Sequence, residues 1–322
     1  MKRIRWFNSF FAVVLVIALM IPGRAFAENT ANAGKELRLT VHFENEGKPV
    51  SGIEFSLYLV ATGNSSSKLT LTKQFSSYPV KLPSGTSGDW YSIASTLEGY
   101  VLRDKLKPLC TSVTIQEGYA AFPTGGKKLV QGCYLILAKP FTRDGLYFEP
   151  APILVMLPET DPESKEPIYD GIVEAKFSVT EAGDEPAPVS LQVLKCWNDK
   201  EYDKKRPSNV VVQLLKNGEI YDEVTLNEDN NWRHTWKELE GNTRYNIVEK
   251  DISDYTVEVV RDGEVFVVSN TYSGKLPENP KPGNTGSLPQ TGQLWWPVPV
   301  LVALGLLLIV AGLLRRKGKE NE

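Results

Sequence analysis

Residues 191–197 read LQVLKCW, in which every second position from Leu191 is apolar except for Lys195. This period of two predicts a β-strand, because successive side chains of a strand point to opposite faces. Leu191, Val193, Lys195 and Trp197 then share one face. The apolar members of this row belong in a hydrophobic core, so the pattern predicts a lysine at a core-facing position.

The same interruption occurs twice further along the chain. Glu249 ends the apolar row of a predicted strand at 245–249, and Asn270 interrupts the row of another predicted strand at 265–271. Three unpaired polar groups in one core would be costly, so we expect Lys195, Glu249 and Asn270 to meet one another.

Meeting in an apolar core would also make these side chains reactive. Burial disfavours charge, which lowers the pKa of Lys195 and raises that of Glu249. A neutral Lys195 amine is a nucleophile, and a protonated Glu249 can act as the catalytic acid that polarises the Asn270 amide and transfers a proton to the departing ammonia. The predicted product is a Lys195–Asn270 amide bond. The alternative is a buried salt bridge or amide network without a bond.

The segment around these residues, 189–273, is predicted to be all β. Asn217-Gly218 and Asp262-Gly263 are hairpin turn signals. About seven strands in this length are typical of a small immunoglobulin-like sandwich. The predicted strands are Leu191–Trp197, Val210–Leu215, Glu223–Asn227, Trp232–Glu238, Tyr245–Glu249, Tyr255–Arg261 and Val265–Thr271.

The stretches LKCWNDKEYDKKRPSNVVVQLLKNGE, NNWRHTWKELE, YNIVEKDISDYTVE and FVVSNTY resemble the CnaB repeat of collagen-adhesin B regions and pilins. The resemblance covers about residues 189–273 and includes the Lys-x-Trp start, the Arg206-Pro207 turn and the terminal Asn. It implies that the intramolecular isopeptide lysine, glutamate and asparagine of that family fall on Lys195, Glu249 and Asn270.

Residues 28–182 are predicted to form a first, weaker copy of this domain. Short strands are expected near 37–41, 53–60, 112–116, 133–138, 152–156 and 173–179, and apolar residues at helical spacing predict one helix over 89–106. The predicted fold class is therefore mainly β, with two tandem immunoglobulin-like, CnaB-type sandwiches, the first with a helical insertion. Residues 183–188 form a short proline-containing joint.

The first domain lacks the reactive residues. Phe43 stands in the place of the lysine, Ala138 replaces the glutamate, and the last predicted strand has no terminal Asn, so we expect no isopeptide bond there. Cys110 and Cys133 could form a disulfide in an exported protein, and buried free thiols are the alternative. No role is predicted for Cys196.

The C-terminus carries Leu288-Pro289-Gln290-Thr291-Gly292, an apolar run at 294–314 and a basic tail at 315–322. The run is about long enough to span a membrane, and the cationic tail marks its cytoplasmic side. This order resembles the LPXTG sorting signal of Gram-positive surface proteins. The resemblance implies that a sortase cleaves after Thr291 and passes the acyl group to a peptidoglycan precursor or a pilus subunit. The alternative is an ordinary tail anchor.

The N-terminus is consistent with export. Basic residues precede an apolar run from Phe10 to Ile21, and Ala25-Phe26-Ala27 supplies small residues for cleavage, so 1–27 is predicted to be a signal peptide. The proline-rich residues 274–287 are predicted to form an extended stalk. The expected location is secreted and covalently anchored to the cell wall or to a pilus.

Composition argues against several other functions. A net charge of −3 gives no basic surface for nucleic acid, and the two histidines lie far apart in sequence. No metal-ligand spacing, phosphate loop or nucleophile motif is present, so we predict no metal, no cofactor and no enzyme activity on an external substrate.

The predicted function is that of a minor or basal pilin that joins a pilus to the wall, with a major pilin subunit as a partner. Under this reading a lysine of the first domain could accept the pilus shaft, and Lys81, Lys127, Lys128 and Lys139 are equal candidates. The alternative is a stand-alone adhesin whose first domain binds a host matrix protein or glycan.

Overall fold

The structure is a computed structural model that describes residues 35–63, 69–83, 90–161, 163–183, 186–250 and 254–274. The predicted signal peptide, the LPQTG pentapeptide, the apolar run 294–314 and the basic tail lie outside the described residues. Within the described ranges, no helix is long and apolar enough to cross a membrane.

Residues 35–183 form a β-sandwich with one helix, here called the N-terminal sandwich. Its sheets have the orders β14-β1-β7, β11-β8-β4-β5 with β6 also paired to β4, and β15-β10-β9. The strands are β1 (Arg38–His42), β2 (Glu44–Asn45), β3 (Lys48–Pro49), β4 (Glu54–Thr62), β5 (Thr70–Leu71), β6 (Cys110–Val113), β7 (Tyr119–Phe122), β8 (Gly132–Ala138), β9 (Phe141–Arg143), β10 (Leu146–Pro150), β11 (Ile153–Leu157), β12 (Glu159–Thr160), β13 (Pro167–Ile168), β14 (Asp170–Glu174) and β15 (Phe177–Glu181).

Residues 189–273 form the second, C-terminal sandwich. A four-stranded sheet of order β19-β16-β22-β21 faces a three-stranded sheet of order β18-β17-β20. The strands are β16 (Val189–Asn198), β17 (Asn209–Lys216), β18 (Glu219–Asn227), β19 (Arg233–Leu239), β20 (Tyr245–Glu249), β21 (Tyr255–Asp262) and β22 (Val265–Tyr272). The seven predicted strands are confirmed. Asn217 and Gly218 both adopt positive φ between β17 and β18, as the predicted tight hairpin requires.

The two sandwiches share a topological feature that the sequence alone did not reveal. In the N-terminal sandwich β1 pairs in parallel with β14, and in the C-terminal sandwich β16 pairs in parallel with β22. The first strand of each sandwich therefore lies beside a late strand running in the same direction. The predicted mainly β fold with two tandem immunoglobulin-like sandwiches is confirmed.

The predicted helix is also confirmed as α1 (Trp90–Arg103). It is buried around most of its circumference, because it packs against β11 of its own sandwich and against β20 and β21 of the C-terminal sandwich. Gly99 makes the second contact possible. A Cβ atom added there would lie 2.9 Å from Val248 Cγ2 and 3.1 Å from the Ile247 carbonyl oxygen.

Helix α1 and the segment that precedes it also cover the edge strand β21 of the C-terminal sandwich. The backbone amide of Val259 donates to Thr96 Oγ1 at 2.8 Å, and the amide of Val257 donates to the Pro79 carbonyl at 2.7 Å. Unpaired edge amides are a template for unwanted strand pairing, so these two contacts protect the edge.

A buried ionic network around Glu98 of α1 also joins the two sandwiches. Arg244 Nη1 donates to Glu98 Oε1 at 2.8 Å and to the Ala138 carbonyl at 3.0 Å, while Asn246 Nδ2 donates to Glu98 Oε2 at 3.0 Å. The side chains of Glu98 and Arg244 are each 6% exposed. Burial raises the pKa of Glu98, and Arg244 opposes that rise.

One predicted strand of the N-terminal sandwich was wrong. Residues 173–179 were predicted as one strand, but β14 and β15 belong to different sheets. The chain changes sheets at Ala175 and Lys176, where the Ala175 amide donates to the His42 carbonyl and the Lys176 carbonyl accepts from the Ala151 amide. Apolar and polar residues continue to alternate through this change of sheet, so the sequence periodicity does not reveal where β14 ends and β15 begins.

The structure also decides between the two alternatives for Cys110 and Cys133, a disulfide and free thiols. All three cysteines are free, and β4 lies between the strands that carry these two. Cys110 lies opposite Leu57 on one edge of β4, and Cys133 lies opposite Ala61 on the other. Two strand spacings amount to about 9–10 Å, beyond the roughly 7 Å that a disulfide can bridge between Cα atoms.

Candidate functional site

The C-terminal sandwich places Lys195, Glu249 and Asn270 in the core between its two sheets. Lys195 and Asn270 come from the parallel neighbours β16 and β22, where Lys195 is in register with Val268 and Trp197 with Asn270. Glu249 comes from β20 of the facing sheet. The structure therefore brings together the three polar side chains that interrupt apolar rows in the sequence.

The carboxyl group of Glu249 lies between the amine and the amide. Lys195 Nζ is 3.4 Å from Glu249 Oε2, and Asn270 Nδ2 donates to Glu249 Oε1 at 2.6 Å. The side chains of Lys195 and Glu249 are both 0% exposed, and Asn270 is 0% exposed as a residue. One carboxyl group thus contacts both partners of a potential amide bond in the absence of solvent.

Burial shifts both titratable groups toward their neutral forms. It lowers the pKa of Lys195 to about 8, although the nearby Glu249 carboxylate opposes the shift. Burial likewise raises the pKa of Glu249, against the opposing effects of Lys195 and the Asn270 hydrogen bond. Desolvation is the largest cause in each case, so the low-dielectric core makes proton transfer from Lys195 to Glu249 easier than it would be in water.

The Asn270 amide can adopt the orientation in which its oxygen faces Glu249. Its Oδ1 atom is buried and has no hydrogen-bond partner among the described residues. Turning the amide by 180° exchanges Nδ2 and Oδ1 at nearly the same heavy-atom positions. The Oδ1 atom would then accept a hydrogen bond from a protonated Glu249, which would draw electron density from the amide carbon.

Sequence analysis did not identify the network that surrounds Lys195. Nζ lies 4.3 Å from the centroid of the Trp197 ring and donates to the Cys196 carbonyl at 3.2 Å. Beyond Trp197, Asp199 has a fully buried side chain. It accepts a bifurcated hydrogen bond from Arg206 Nε, at 3.0 Å to Oδ1 and 2.8 Å to Oδ2. The sequence pattern that could have indicated this network is Lys-x-Trp-x-Asp at residues 195–199, followed by Arg206-Pro207.

The corresponding region of the N-terminal sandwich is apolar. Phe43, which follows β1, is fully buried and its ring centroid lies 4.7 Å from that of Phe177, 5.9 Å from that of Phe141 and 6.1 Å from that of Phe55. Ala138 ends β8 and is buried. Aromatic packing therefore occupies the position that the lysine and glutamate occupy in the C-terminal sandwich.

The remaining candidate residues are dispersed. Lys81, Lys127, Lys128 and Lys139 are all exposed, and the structure does not distinguish one of them as an acceptor. Within the part of the chain that is described, no group of three or more His, Cys, Asp or Glu side chains could hold a metal ion.

Comparison with known proteins gives matches to the C-terminal sandwich and to adhesins and pilins. Residues 191–271 match the protein family described as Cna protein B-type domain. Over 104 residues the chain is 34% identical to a collagen adhesin from Staphylococcus aureus, a match that covers 30% of this chain and 9% of the relative's length.

Similar solved structures include single-domain and pilin examples. One is a single B repeat unit of the collagen-binding surface protein of Staphylococcus aureus, at 18% identity over 73% of this chain and 97% of that one, with a TM-score of 0.26. Another is the SpaE basal pilin from Lactobacillus rhamnosus GG, at 12% identity over 70% and 84%, with a TM-score of 0.28. Within a chain of two tandem immunoglobulin-like β-sandwiches, it is the C-terminal one, at residues 191–271, that matches the Cna protein B-type domain.

Proposed function

We propose that this chain is a surface structural protein whose C-terminal sandwich is closed by an isopeptide bond between Lys195 and Asn270. The observation that carries the proposal is the buried Glu249 carboxyl group, in contact with Lys195 Nζ at 3.4 Å and with the Asn270 amide nitrogen at 2.6 Å. A salt bridge alone would not need the asparagine, and an amide network alone would not need the lysine.

The reaction balances without a cofactor. Lys195 transfers a proton to Glu249, and the neutral Nζ attacks Asn270 Cγ while Glu249 donates a hydrogen bond to Oδ1. A new Nζ–Cγ bond forms and the Cγ–Nδ2 bond breaks. The two protons that Nζ gives up pass through Glu249 to Nδ2, which leaves as ammonium. Glu249 returns to its starting state, so its role is catalytic, and the reaction occurs once per chain.

The bond would stabilise the domain mainly through the unfolded state. By analogy with a disulfide that closes a loop of about 75 residues, the entropic contribution is about 4 kcal/mol. It would also join the first strand of the sandwich covalently to the last. Resistance to unfolding suits a protein that is held at one end and pulled at the other.

For the whole chain we propose a sortase-anchored minor or basal pilin that links a pilus to the cell wall. The signal peptide, the LPQTG pentapeptide and the apolar run of the sequence support export and anchoring. The partners are then a sortase, a peptidoglycan precursor and a major pilin subunit. A stand-alone adhesin that binds a host matrix protein is the second candidate, favoured by the match to a collagen adhesin.

The bond is tested by the intact mass of residues 35–274 beside a Lys195→Ala variant. We expect the wild type, but not the variant, to be lighter than its sequence by one ammonia, with Lys195 and Asn270 in one crosslinked peptide after digestion. Glu249→Gln should remain unreacted although both bonding partners are present. A wild-type mass equal to that of the unmodified sequence would refute the bond.

Anchoring and partner are tested separately in a Gram-positive host that expresses a sortase. We expect the full chain in the wall fraction and a Thr291→Ala variant in the membrane fraction. Co-expression with a shaft pilin should give a high-molecular-weight ladder that contains this chain. Wall attachment without a ladder, together with binding to immobilised collagen, would favour the adhesin.

A further inference from the structure

The indole of Trp197 closes the core over the reacting amine. Lys195 and Trp197 lie two residues apart on one face of β16, and Nζ is 4.3 Å from the ring centroid. In the pairing of β16 with β22, Trp197 is in register with Asn270. The ring therefore lies over the lysine and beside the strand position of the asparagine.

Trp197 is itself held from several directions. It makes edge contacts with Trp232, at 5.2 Å between centroids, and with Tyr255, at 5.3 Å. Tyr255 Oη donates to Asp199 Oδ2 at 3.0 Å, and Asp199 is in turn held by Arg206. This clamp fixes an aromatic side chain that is only half-buried at the end of the core.

We propose that Trp197 is a positioning residue for isopeptide formation. Its indole excludes water from Lys195 and holds Nζ beside Glu249 and Asn270. The network of Asp199, Arg206 and Tyr255 keeps the indole in place. The inference rests on the proposed isopeptide bond and extends it to a residue outside the reacting three.

The physical argument weighs two opposite effects of the ring on the amine. A π face attracts the ammonium form, an effect of about 0.5–2 kcal/mol that would raise the pKa of Lys195. Glu249 and Asp199 also raise it, as does Cys196. The net shift is nevertheless downward because desolvation is the largest contribution. On removal of the indole, we expect the entry of water beside Lys195 to outweigh the lost attraction of the ring.

The test follows the reaction from an unreacted start. Residues 35–274 are recovered as insoluble chain, dissolved in guanidinium chloride and checked by intact mass, and then refolded by dilution at a series of pH values. Loss of ammonia is followed by mass over time. Wild type is compared with Trp197→Leu, with the conservative Trp197→Phe, and with Trp236→Leu as a matched control.

Trp236 is a suitable control because it is buried in the same core but lies opposite Leu191, four residues before Lys195 on β16. We expect Trp197→Leu to react at least about tenfold more slowly at pH 7, since a one-unit rise in the lysine pKa lowers the neutral fraction about tenfold. The rising limb of its rate–pH curve should move to higher pH. Trp197→Phe should show a smaller shift in the same direction, and Trp236→Leu should keep the wild-type pH midpoint.

The outcomes separate the two proposals. If the wild type never loses ammonia, the isopeptide bond itself is refuted. If the wild type reacts and Trp197→Leu or Trp197→Phe keeps the wild-type pH midpoint, even with a lower rate, Trp197 has only a structural role and this inference is overturned. If Trp197→Leu does not refold, the pH midpoint of Trp197→Phe decides the question.

Discussion

Removal of the Glu98 carboxylate should destabilise the contact between the two sandwiches. Glu98 on α1 and Arg244, just before β20, are both 6% exposed and share a 2.8 Å hydrogen bond. In Glu98→Ala, Arg244 would keep its bonds to the Ala138 and Pro150 carbonyls, but its nearest described carboxylate would be the partly exposed Glu149, at 3.5 Å from Nε. Breaking a buried pair by removing one partner costs about 3–5 kcal/mol, because it leaves an uncompensated buried charge.

Glu98→Gln is the matched control. Its amide oxygen can still accept from Arg244, and its amide nitrogen can donate to Asn246 Oδ1, a buried atom without a partner among the described residues. Only the charge is lost, so we expect a cost of about 1 kcal/mol, the difference between a charged and a neutral hydrogen bond. The double variant Glu98→Leu/Arg244→Met should recover at least half of the Glu98→Ala loss, since apolar side chains can replace a buried pair.

The assay is guanidinium chloride unfolding of residues 35–274, followed by tryptophan fluorescence. Limited proteolysis at the 183–188 joint gives an independent measure of opening. If Glu98→Ala changes the unfolding free energy by less than about 1 kcal/mol, as an exposed ion pair would, the reasoning about this interface is refuted. A loss in Glu98→Gln as large as in Glu98→Ala would refute the role of the hydrogen-bond pattern.

Three further predictions concern α1 and the reactive core. Thr96→Val leaves the Val259 amide without its acceptor and should cost about 1–3 kcal/mol of unfolding free energy, whereas Thr96→Ser should be near wild type in the same denaturant assay. Gly99→Ala forces a Cβ atom against β20 and should cost about 1–3 kcal/mol by thermal unfolding; an unchanged melting temperature would contradict the close approach. In Asn270→Ala, which cannot form the bond, Lys195 remains free to titrate. Its folded-state pKa of about 8 is below the unfolded value, so the unfolded state binds more protons between these two values. The free energy of unfolding should therefore rise from pH 8 toward pH 10. The rise should vanish in Lys195→Met/Asn270→Ala.

The C-terminal sandwich could be predicted almost completely from its sequence, and the reason is local. Apolar residues at every second position define its strands, and Asn217-Gly218 marks a hairpin whose positive φ angles few other residues adopt. The polar residues at Lys195, Glu249 and Asn270 were informative because each breaks a core-facing row. A departure from a regular pattern thus pointed to the site.

What could not be predicted depends on contacts between distant segments. The alternation of apolar residues predicted that β20 would be buried on one face only. It is buried on both, because helix α1 covers the second face, where Glu98 bonds to Arg244, 146 residues later in the chain. The sequence sign of this contact was Glu98 itself, the one charged residue between Trp90 and Leu102 of the helix. The Asp199–Arg206 clamp had no periodic signature either.

The parallel pairing of β16 with β22 determines what the proposed bond would do under load. The chain enters the C-terminal sandwich at Val189 and leaves it after Tyr272, so tension on its ends shears these two neighbouring strands past each other. A bond from Lys195 to Asn270 would carry that tension directly, and β17 to β21 would lie outside the path of the force. β1 and β14 of the N-terminal sandwich are also parallel, but Phe43 occupies the place of the lysine and hydrogen bonds alone join the strands. The N-terminal sandwich would therefore unfold at a lower force than the C-terminal one. Among the described residues, the contacts of α1 with β20 and β21 connect the two sandwiches and support both.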